Sequence, residues 1–209
     1  MRTRSAALVA GAAVLALGVA GCGSSSSSSS SSSAGSAGSA KTTTIDPNGP
    51  EVSPAGDIPD NQAYVAYTPP GAAYSVKVPE GWARTDGAAG RTSFTDKLNS
   101  IAMQAVPARS ALTAAAAKRS EVRKLARSVP GFKAGKVSTV TRSAGTAVRI
   151  TYLATSPVNP VTGTSRTDAV ERYVFFHNGK NVILTLSGPK GADNVDPWKI
   201  VTDSLRYTA

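Results

Sequence analysis

The sequence predicts an α+β domain built on an antiparallel sheet of about six or seven strands, with one long and one short helix. Short segments with apolar residues at every second position recur between turn-forming residues, which is typical of strands. One stretch, residues 112–129, has the period of an amphipathic helix instead. Two apolar segments flank Asn178-Gly179, the dipeptide most typical of a two-residue hairpin turn. Strands therefore dominate, and neighbours along the chain are expected to pair antiparallel.

Four strands are predicted ahead of the long helix. Ala63–Tyr67 is a short apolar segment, and Tyr74–Val78 alternates between apolar and polar residues, so its apolar side chains share one face. Thr92–Thr95 and Ser100–Val106 are the next two strands, and the four residues between them are expected to form a turn.

The long helix is predicted over Leu112–Val129. Its apolar side chains recur three and four residues apart and form one broad face, made of Leu112, Ala115, Val122, Leu125, Ala126 and Val129. Pro130-Gly131 should end the helix, because proline cannot continue its hydrogen bonding and glycine accepts the left-handed conformation common after a helix.

The strands after the helix include the expected centre of the sheet. Val137–Thr141 and Thr146–Ala154 are predicted to form one hairpin, and Val170–His177 and Lys180–Ser187 a second. Both faces of the second hairpin carry apolar side chains, so we expect it to be central and covered by a layer on each face.

A short helix is predicted near the end of the chain. Asp196 is expected to be its N-cap and Pro197 its first residue, because a carboxylate can accept from the free N–H groups of the first turn and proline lacks one of them. Trp198, Val201 and Leu205 are its expected buried residues.

The N-terminus has the layout of a bacterial lipoprotein signal. A basic start, MRTR, precedes an apolar run from Ala6 to Ala20 that is too short and too rich in alanine and glycine for a spanning helix. Val19-Ala20-Gly21-Cys22 resembles a lipobox, in which the cysteine is lipidated on sulfur and becomes the mature N-terminus. Residues 1–21 are therefore predicted to be the signal peptide and Cys22 the lipidation site. An ordinary secretory signal with a stray cysteine is the alternative.

Residues 22–61 are predicted to be a disordered tether and residues 62–209 the folded domain. The tether contains a serine run, an Ala/Gly/Ser repeat and a segment rich in proline and aspartate, a composition that cannot bury apolar surface. A Gly/Ser-rich chain of this length spans about 35 Å on average. We therefore expect the domain to be held by lipid at the extracytoplasmic face of the cell membrane.

The two helices and the hairpins follow an order that resembles the PsbP/Mog fold, an α/β/α sandwich. The residues that carry the resemblance are YSVKVPEGW at 74–82, FTDKLN at 94–99 and the closing stretch from Asp196 to Leu205. With the lipobox and an alanine-rich composition, the chain is similar to actinobacterial lipoproteins of the LpqN-like group. PsbP proteins are accessory to photosystem II and Mog proteins partner a small GTPase. None of their functional residues can be matched here, so the resemblance implies a binding or assembly accessory without catalysis.

The chain is strongly basic, with a formal net charge of +10 at pH 7. Such a charge first suggests nucleic acid, but an exported protein meets anionic headgroups and cell-wall polymers instead. Since Cys22 is the only cysteine, an internal disulfide is excluded. The expected partners are the membrane through the lipid anchor, an anionic lipid, glycolipid or cell-wall polymer, and an envelope protein, with no nucleic acid.

The candidate anion contact lies on the long helix. Arg119, Arg123 and Arg127 are four residues apart, with Lys124 nearby, and Glu121 is the only acid of the helix and reaches none of the three arginines. Like charges at this spacing cost helix stability, which hints at an outside phosphate or carboxylate bound by the guanidinium forks. An ordinary solvated helix side is the alternative.

No pattern in the sequence specifies a reaction. The single histidine, His177, is interpreted as an ordinary hairpin residue, and no group with metal-ligand spacing or phosphate-binding glycine loop is present. Asp168 and Glu171 lie close in sequence, as do Asp193, Asp196 and Asp203, and a pair could serve a glycosidase-like reaction only by facing one cleft. We therefore expect no enzyme, no cofactor and no metal.

These observations predict a membrane-anchored, extracytoplasmic protein that acts as a non-catalytic binding or accessory protein in the cell envelope. The alternatives are a cell-envelope hydrolase using carboxylates and the solute-binding component of a transporter. The latter fits poorly, because such proteins close two lobes on their ligand. An alanine-rich helix leaves room for an acyl chain or glycolipid against the sheet, although a filled core is the favoured interpretation.

Overall fold

A computed structural model describes residues 55–208 of the chain. The predicted signal peptide, the lipidation site Cys22 and most of the predicted tether lie outside the described residues. The strands before the helices are β1 Tyr64–Tyr67, β2 Tyr74–Pro79, β3 Ala83–Asp86, β4 Thr92–Thr95 and β5 Ser100–Pro107. The helices α1 Ala114–Arg119 and α2 Glu121–Ser128 follow, then β6 Lys133–Arg142, β7 Gly145–Thr155, β8 Thr167–His177, β9 Lys180–Pro189, α3 Val195–Asp203 and β10 Arg206–Tyr207.

Seven of these strands form one antiparallel sheet in the order β3-β4-β5-β9-β8-β7-β6, and β1, β2 and β10 form a second, small sheet. The predicted α+β class and the predicted strand number are confirmed. The hairpin of β8 and β9 lies in the middle of the large sheet, as its two apolar faces predicted. Its turn residues Asn178 and Gly179 have φ angles of +44° and +72°, which a type I′ turn requires.

Each face of the large sheet is covered by a different layer. On one face the small sheet and α3 enclose the larger core with β8 and β9, including Tyr74, Val76, Phe175, Leu184 and Leu205. On the other face α1 and α2 cover β7 and β8. Their core is smaller and consists of Ala117, Leu125, Val148, Ile150, Tyr152 and Val170. The helix layer is therefore separated from α3 by the full thickness of the sheet.

The single long helix predicted over Leu112–Val129 is two helices. They meet at Ser120, whose φ and ψ of −115° and −59° depart from helical geometry. The Ala116 carbonyl accepts from both the N–H and the hydroxyl of Ser120, and side-chain bonds of this kind often accompany a bend in a helix. The bend changes the apolar face, since Ala115 and Ala126 are exposed and Ala117 is buried instead.

The predicted start of the terminal helix is wrong. Helix α3 begins at Val195, and Asp196 lies in its first turn with the N-cap position held by Asn194. The buried Asn194 side chain caps no helical N–H, because it accepts from Ile58 N and donates to Gly56 O and Asn99 Oδ1. Trp198, Val201 and Leu205 are buried as predicted.

Three further features differ from the sequence prediction. The strand β3, sequence ARTD, is fully exposed and offers no apolar alternation, and β10 is only two residues long. Ile58 is 4% exposed and belongs to the larger core. The packed unit therefore begins ahead of Gln62, the predicted domain boundary.

The edge strand β6 contains a bulge between Ala134 and Val137, where its register against β7 shifts. At the bulge the Lys136 N–H donates to Thr151 Oγ1 at 2.8 Å. A Cβ on Gly135 would lie 2.6 Å from the carbonyl oxygen of Thr151, closer than real Cβ contacts. Glycine is therefore required by the close approach of the two backbones.

We expect Gly135→Ala to destabilise the domain by about 1–3 kcal/mol, because the added methyl collides with backbone rather than with a mobile side-chain end. The matched control is Gly87→Ala, whose Cβ would meet nothing closer than 3.6 Å. It should change the free energy of unfolding by less than about 0.5 kcal/mol. Urea denaturation of both variants measures the difference, and equal costs would contradict the proposed backbone contact.

Candidate functional site

The basic residues of the described chain are concentrated on the helix layer and the start of β6. Between residues 109 and 136 there is one acid, Glu121, against eight basic residues: Arg109, Lys118, Arg119, Arg123, Lys124, Arg127, Lys133 and Lys136. All eight are exposed. This segment thus carries most of the net positive charge of the described chain.

The arginine strip, defined as Arg119, Arg123 and Arg127, lies on this surface. Arg119 ends α1, whereas Arg123 and Arg127 belong to α2, so the bend at Ser120 interrupts the spacing predicted for one helix. No acidic side chain within residues 55–208 forms an ion pair with any arginine of the strip. The three guanidinium groups therefore keep their hydrogen-bonding capacity for an outside anion.

Lys124, the fourth predicted contact residue, has a different environment. Its Nζ lies 3.1 Å from Glu121 Oε1. The other carboxylate oxygen of Glu121 lies 4.0 Å from Arg172 Nη2, on the strand beneath. Of the four predicted contact residues, the three arginines therefore have no acid partner within the described chain, whereas Lys124 has one.

Arg172 explains why Glu121 does not neutralise the arginine strip. This arginine projects from the centre of the sheet towards the helices and also donates to Thr185 Oγ1. Burial lowers the pKa of Arg172, while Tyr152 and Glu121 nearby favour its charged form and Arg91 opposes it. One carboxylate oxygen of Glu121, the single acid of the helix layer, thus points inward to the largely buried Arg172.

A groove lies between the helix pair and β6, with a cavity volume of about 390 Å³. We call it the helix–strand groove. Its apolar wall is formed by Val122, Phe132, Val137 and Ile150, and the exposed Lys118 and Lys136 are at its rim. A space of this size with an apolar wall and a cationic rim suits the hydrocarbon and anionic head of an amphiphile.

The local backbone explains why this space is open. The bulge of β6 brings Ala134 and Gly135 to the groove, and these residues have little or no side chain to fill it. The ring of Phe132 packs against Tyr152 with centroids 5.3 Å apart, which fixes one wall. The sequence favoured a filled core in this layer, with space for an acyl chain as the alternative. The residues of the groove could not be predicted, because the bulge is a property of strand pairing.

A second, smaller cavity of about 230 Å³ lies at the tip of the central hairpin. Tyr74, Val182, His177, Lys180 and Tyr207 are among its lining residues. The His177 ring stacks on Tyr207 with centroids 3.8 Å apart, which holds the imidazole against the last strand. His177 ends β8 at the hairpin turn, where the sequence placed it.

Asp168 and Glu171, both within the described residues, do not form the facing pair that a carboxylate hydrolase requires. Asp168 and Glu171 are three residues apart on β8, so they lie on opposite faces of the sheet. Asp168 is buried beside Arg166 at 2.8 Å; burial raises the pKa of Asp168 and the arginine opposes that shift. Glu171 accepts from the Tyr173 hydroxyl and from Arg149.

The remaining predicted acids are on or next to α3, and Asp203 pairs with Arg142 and Lys199. In the part of the chain that the structure describes, no three histidine, cysteine or acidic side chains come together as a metal site would need. Nor is any helix in residues 55–208 long and apolar enough to cross a membrane.

Comparison with known proteins gives structural similarities only. The sequence matches no known protein family and no curated protein at a significant level. A first solved structure, from Bacteroides thetaiotaomicron, matches 66% of this chain at 14% identity with a TM-score of 0.44, and the match spans only 46% of its own length.

For three further solved structures, the match spans most of the length of the solved chain. The match to cyanobacterial PsbP of Synechocystis covers 70% of this chain and 93% of the PsbP chain, with 16% identity and a TM-score of 0.49. The Ran-binding protein Mog1p of Saccharomyces cerevisiae covers 70% and 96%, with 12% identity and a TM-score of 0.44. LpqN of Mycobacterium tuberculosis, involved in cell envelope biogenesis, covers 72% and 87%, with 16% identity and a TM-score of 0.40. PsbP, Mog and LpqN structures are thus among those to which the chain is similar, and likeness at this level transfers no function.

We expect Glu121→Gln to destabilise the domain by about 1–2 kcal/mol, because it leaves the half-buried Arg172 without its acid. The matched control Lys124→Gln removes the exposed partner of the same carboxylate and should cost less than about 0.5 kcal/mol. Chemical denaturation in low and high salt measures both. If the two variants lower the free energy of unfolding equally, the contact between Glu121 and Arg172 does not contribute the expected stability.

Proposed function

We propose that this protein is a lipid-anchored accessory protein of the cell envelope that binds an anionic lipid, glycolipid or polymer through its helix layer, without catalysis. In this proposal Cys22 carries the anchor at the extracytoplasmic face of the cell membrane, and the arginine strip contacts the ligand.

The observation that carries the proposal is the charge of the helix layer. Eight exposed basic residues lie between positions 109 and 136 with one acid among them, and that acid contacts Lys124 and Arg172. Unpaired like charges repel one another, so the surface is more stable with an anion bound. Phosphate and carboxylate groups match the guanidinium fork, which can donate two parallel hydrogen bonds.

The helix–strand groove supports an amphiphile among the possible ligands. Lys118 is the residue before Arg119, and its side chain lies at the rim of the groove. A headgroup bound by the arginine strip would therefore have an apolar space beside it for part of its chain. A polymer without hydrocarbon would bind the same cations but leave the groove empty.

The test is binding of the chain from Gly23 onward, which lacks the apolar run and the cysteine, to vesicles containing phosphatidylglycerol. We expect replacement of the arginine strip by glutamine to weaken binding by at least about tenfold, since each cation near an anionic surface contributes about 1 kcal/mol. The salt dependence of binding should fall as well, because screening acts on the same contacts.

The matched control carries Lys77→Gln, Arg84→Gln and Lys180→Gln, which remove the same charge from surfaces outside the helix layer. Co-sedimentation at several salt concentrations compares the two triple variants with the parent chain. Equal weakening by both would mean that total charge alone attracts the vesicles, and the arginine strip would lose its assigned role.

A further inference from the structure

The connection between β7 and β8, residues 156–166, presents two exposed apolar side chains on one short loop. Val158 is 63% exposed, and Val161, at 91%, is the most exposed large apolar side chain among the described residues. Single exposed apolar residues are common, but two at the tip of one projecting loop form a local apolar contact point.

The loop is ordered by its own hydrogen bonds. The backbone of Ser156 bonds to that of Arg166, and Asn159 bonds to Thr164, so two rungs continue the β7–β8 pairing towards the tip. The Asn159 side chain accepts from the N–H groups of Val161 and Thr162. The valines are thus displayed by a defined turn.

This hydrogen bonding also lowers the cost of moving the tip out of water. The Gly163 N–H bonds to the Asn159 carbonyl, and Pro157 and Pro160 have no N–H to satisfy. From Asn159 to Gly163 each N–H group is therefore bonded within the loop, so this part of the tip can enter an apolar or interfacial environment without leaving those donors unpaired.

The root of the loop lies beside the basic helix layer. The Thr155 N–H donates to the Pro130 carbonyl at 2.8 Å, which brings the end of α2, with the exposed Arg127, to the loop. Lys133 pairs with Leu153 on the neighbouring strand and is also exposed. Asp168, the nearest acid on β8, is buried against Arg166. Exposed acids also lie near this end: Asp96, two residues before the Leu98 carbonyl that accepts from Arg166, and Asp193, whose N–H donates to Asp57. Asp193 and Asp196, just before α3 and in its first turn, belong to the layer on the other face of the sheet.

The chain enters the described fold at this same end of the sheet. Gly56 packs against Pro189, and Pro189 pairs with Asp168 at the start of β8. The hairpin tip at Asn178 is the opposite end of the same two strands. A chain that leads from an N-terminal anchor therefore reaches the domain at the end that carries the valine loop.

We propose that Val158 and Val161 dock the domain on an anionic bilayer, with Arg127 and Lys133 contacting the headgroups. This inference rests on the proposed function only for the anchor at Cys22, which brings the domain to the membrane. The occupant is the bilayer because apolar tips beside cations fit the acyl boundary and its anionic headgroups together. The domain would then stand on the membrane by its loop end, with the hairpin tip furthest away.

The experiment uses the chain from Gly23 onward, which contains no cysteine. An N-terminal histidine tag bound to nickel-chelating lipid takes the place of the lipidated Cys22, and an environment-sensitive fluorophore is placed on Val161→Cys. The matched control is Val65→Cys, an exposed valine on β1 of the small sheet, 43% exposed. Both proteins are reconstituted in vesicles of phosphatidylcholine with phosphatidylglycerol, carrying nitroxide-labelled lipid. We expect the label at residue 161 to shift to shorter wavelength and lose most of its emission, and the label at residue 65 to keep it. Val158→Cys should behave like Val161→Cys.

Equal quenching at residues 161 and 65 would overturn the docking proposal, and so would a residue 161 label that stays open to a water-soluble quencher. In the second case the valine loop would be left for a protein partner. These failures are distinct from failure of the proposed function. If replacement of the arginine strip still weakens vesicle binding while residue 161 stays in water, the helix layer binds anions and only the docking geometry is wrong.

Discussion

The central hairpin carries apolar side chains on both faces, and this constraint determines the layers around it. Tyr173, Phe175 and Leu184 point to one side, whereas Val174 and Ile183 point to the other, and all are nearly inaccessible. Each large side chain of this kind contributes about 1.5–3 kcal/mol when buried, so neither face can be left in water. The small sheet with α3 covers one face and the bent helix pair covers the other.

This layering decides where charge can lie. Helices that cover a sheet direct their apolar side chains inward, so the basic residues of α1 and α2 must face water. The central strands carry one cation, Arg172, on the side that faces the helices. Its largely buried guanidinium lies near one carboxylate oxygen of Glu121, the only acid of the helix layer. A desolvated charge needs a nearby partner more than an exposed one does. The surface arginines are consequently left without an acid in the described chain.

Local patterns predict the parts of this fold that depend on local rules. The Asn178-Gly179 turn, the apolar faces of the hairpin and the buried residues of α3 follow from turn chemistry and periodicity. The bend at Ser120 does not, because a mid-helix serine either faces water or bonds to the preceding turn, and packing decides which. Asn194 could not be assigned either, since its three partners lie 95 to 138 residues away in sequence. For the site, the arginine strip is readable from the sequence, whereas the groove depends on a bulge created by pairing with β7.

The positions of the helix ends connect the two proposed contacts. The segment before α1 is joined to the hairpin tip, where Ala108 N–H donates to Gly179 O, and the segment after α2 is joined to the root of the valine loop through Pro130. The helix pair therefore runs along the sheet from one end to the other, and the arginine strip runs with it towards Val161. Screened attraction acts over roughly 8 Å at physiological salt, whereas apolar contact acts only at the surface. On approach to an anionic bilayer the strip would act first and orient the domain, and the loop would act last and hold it there.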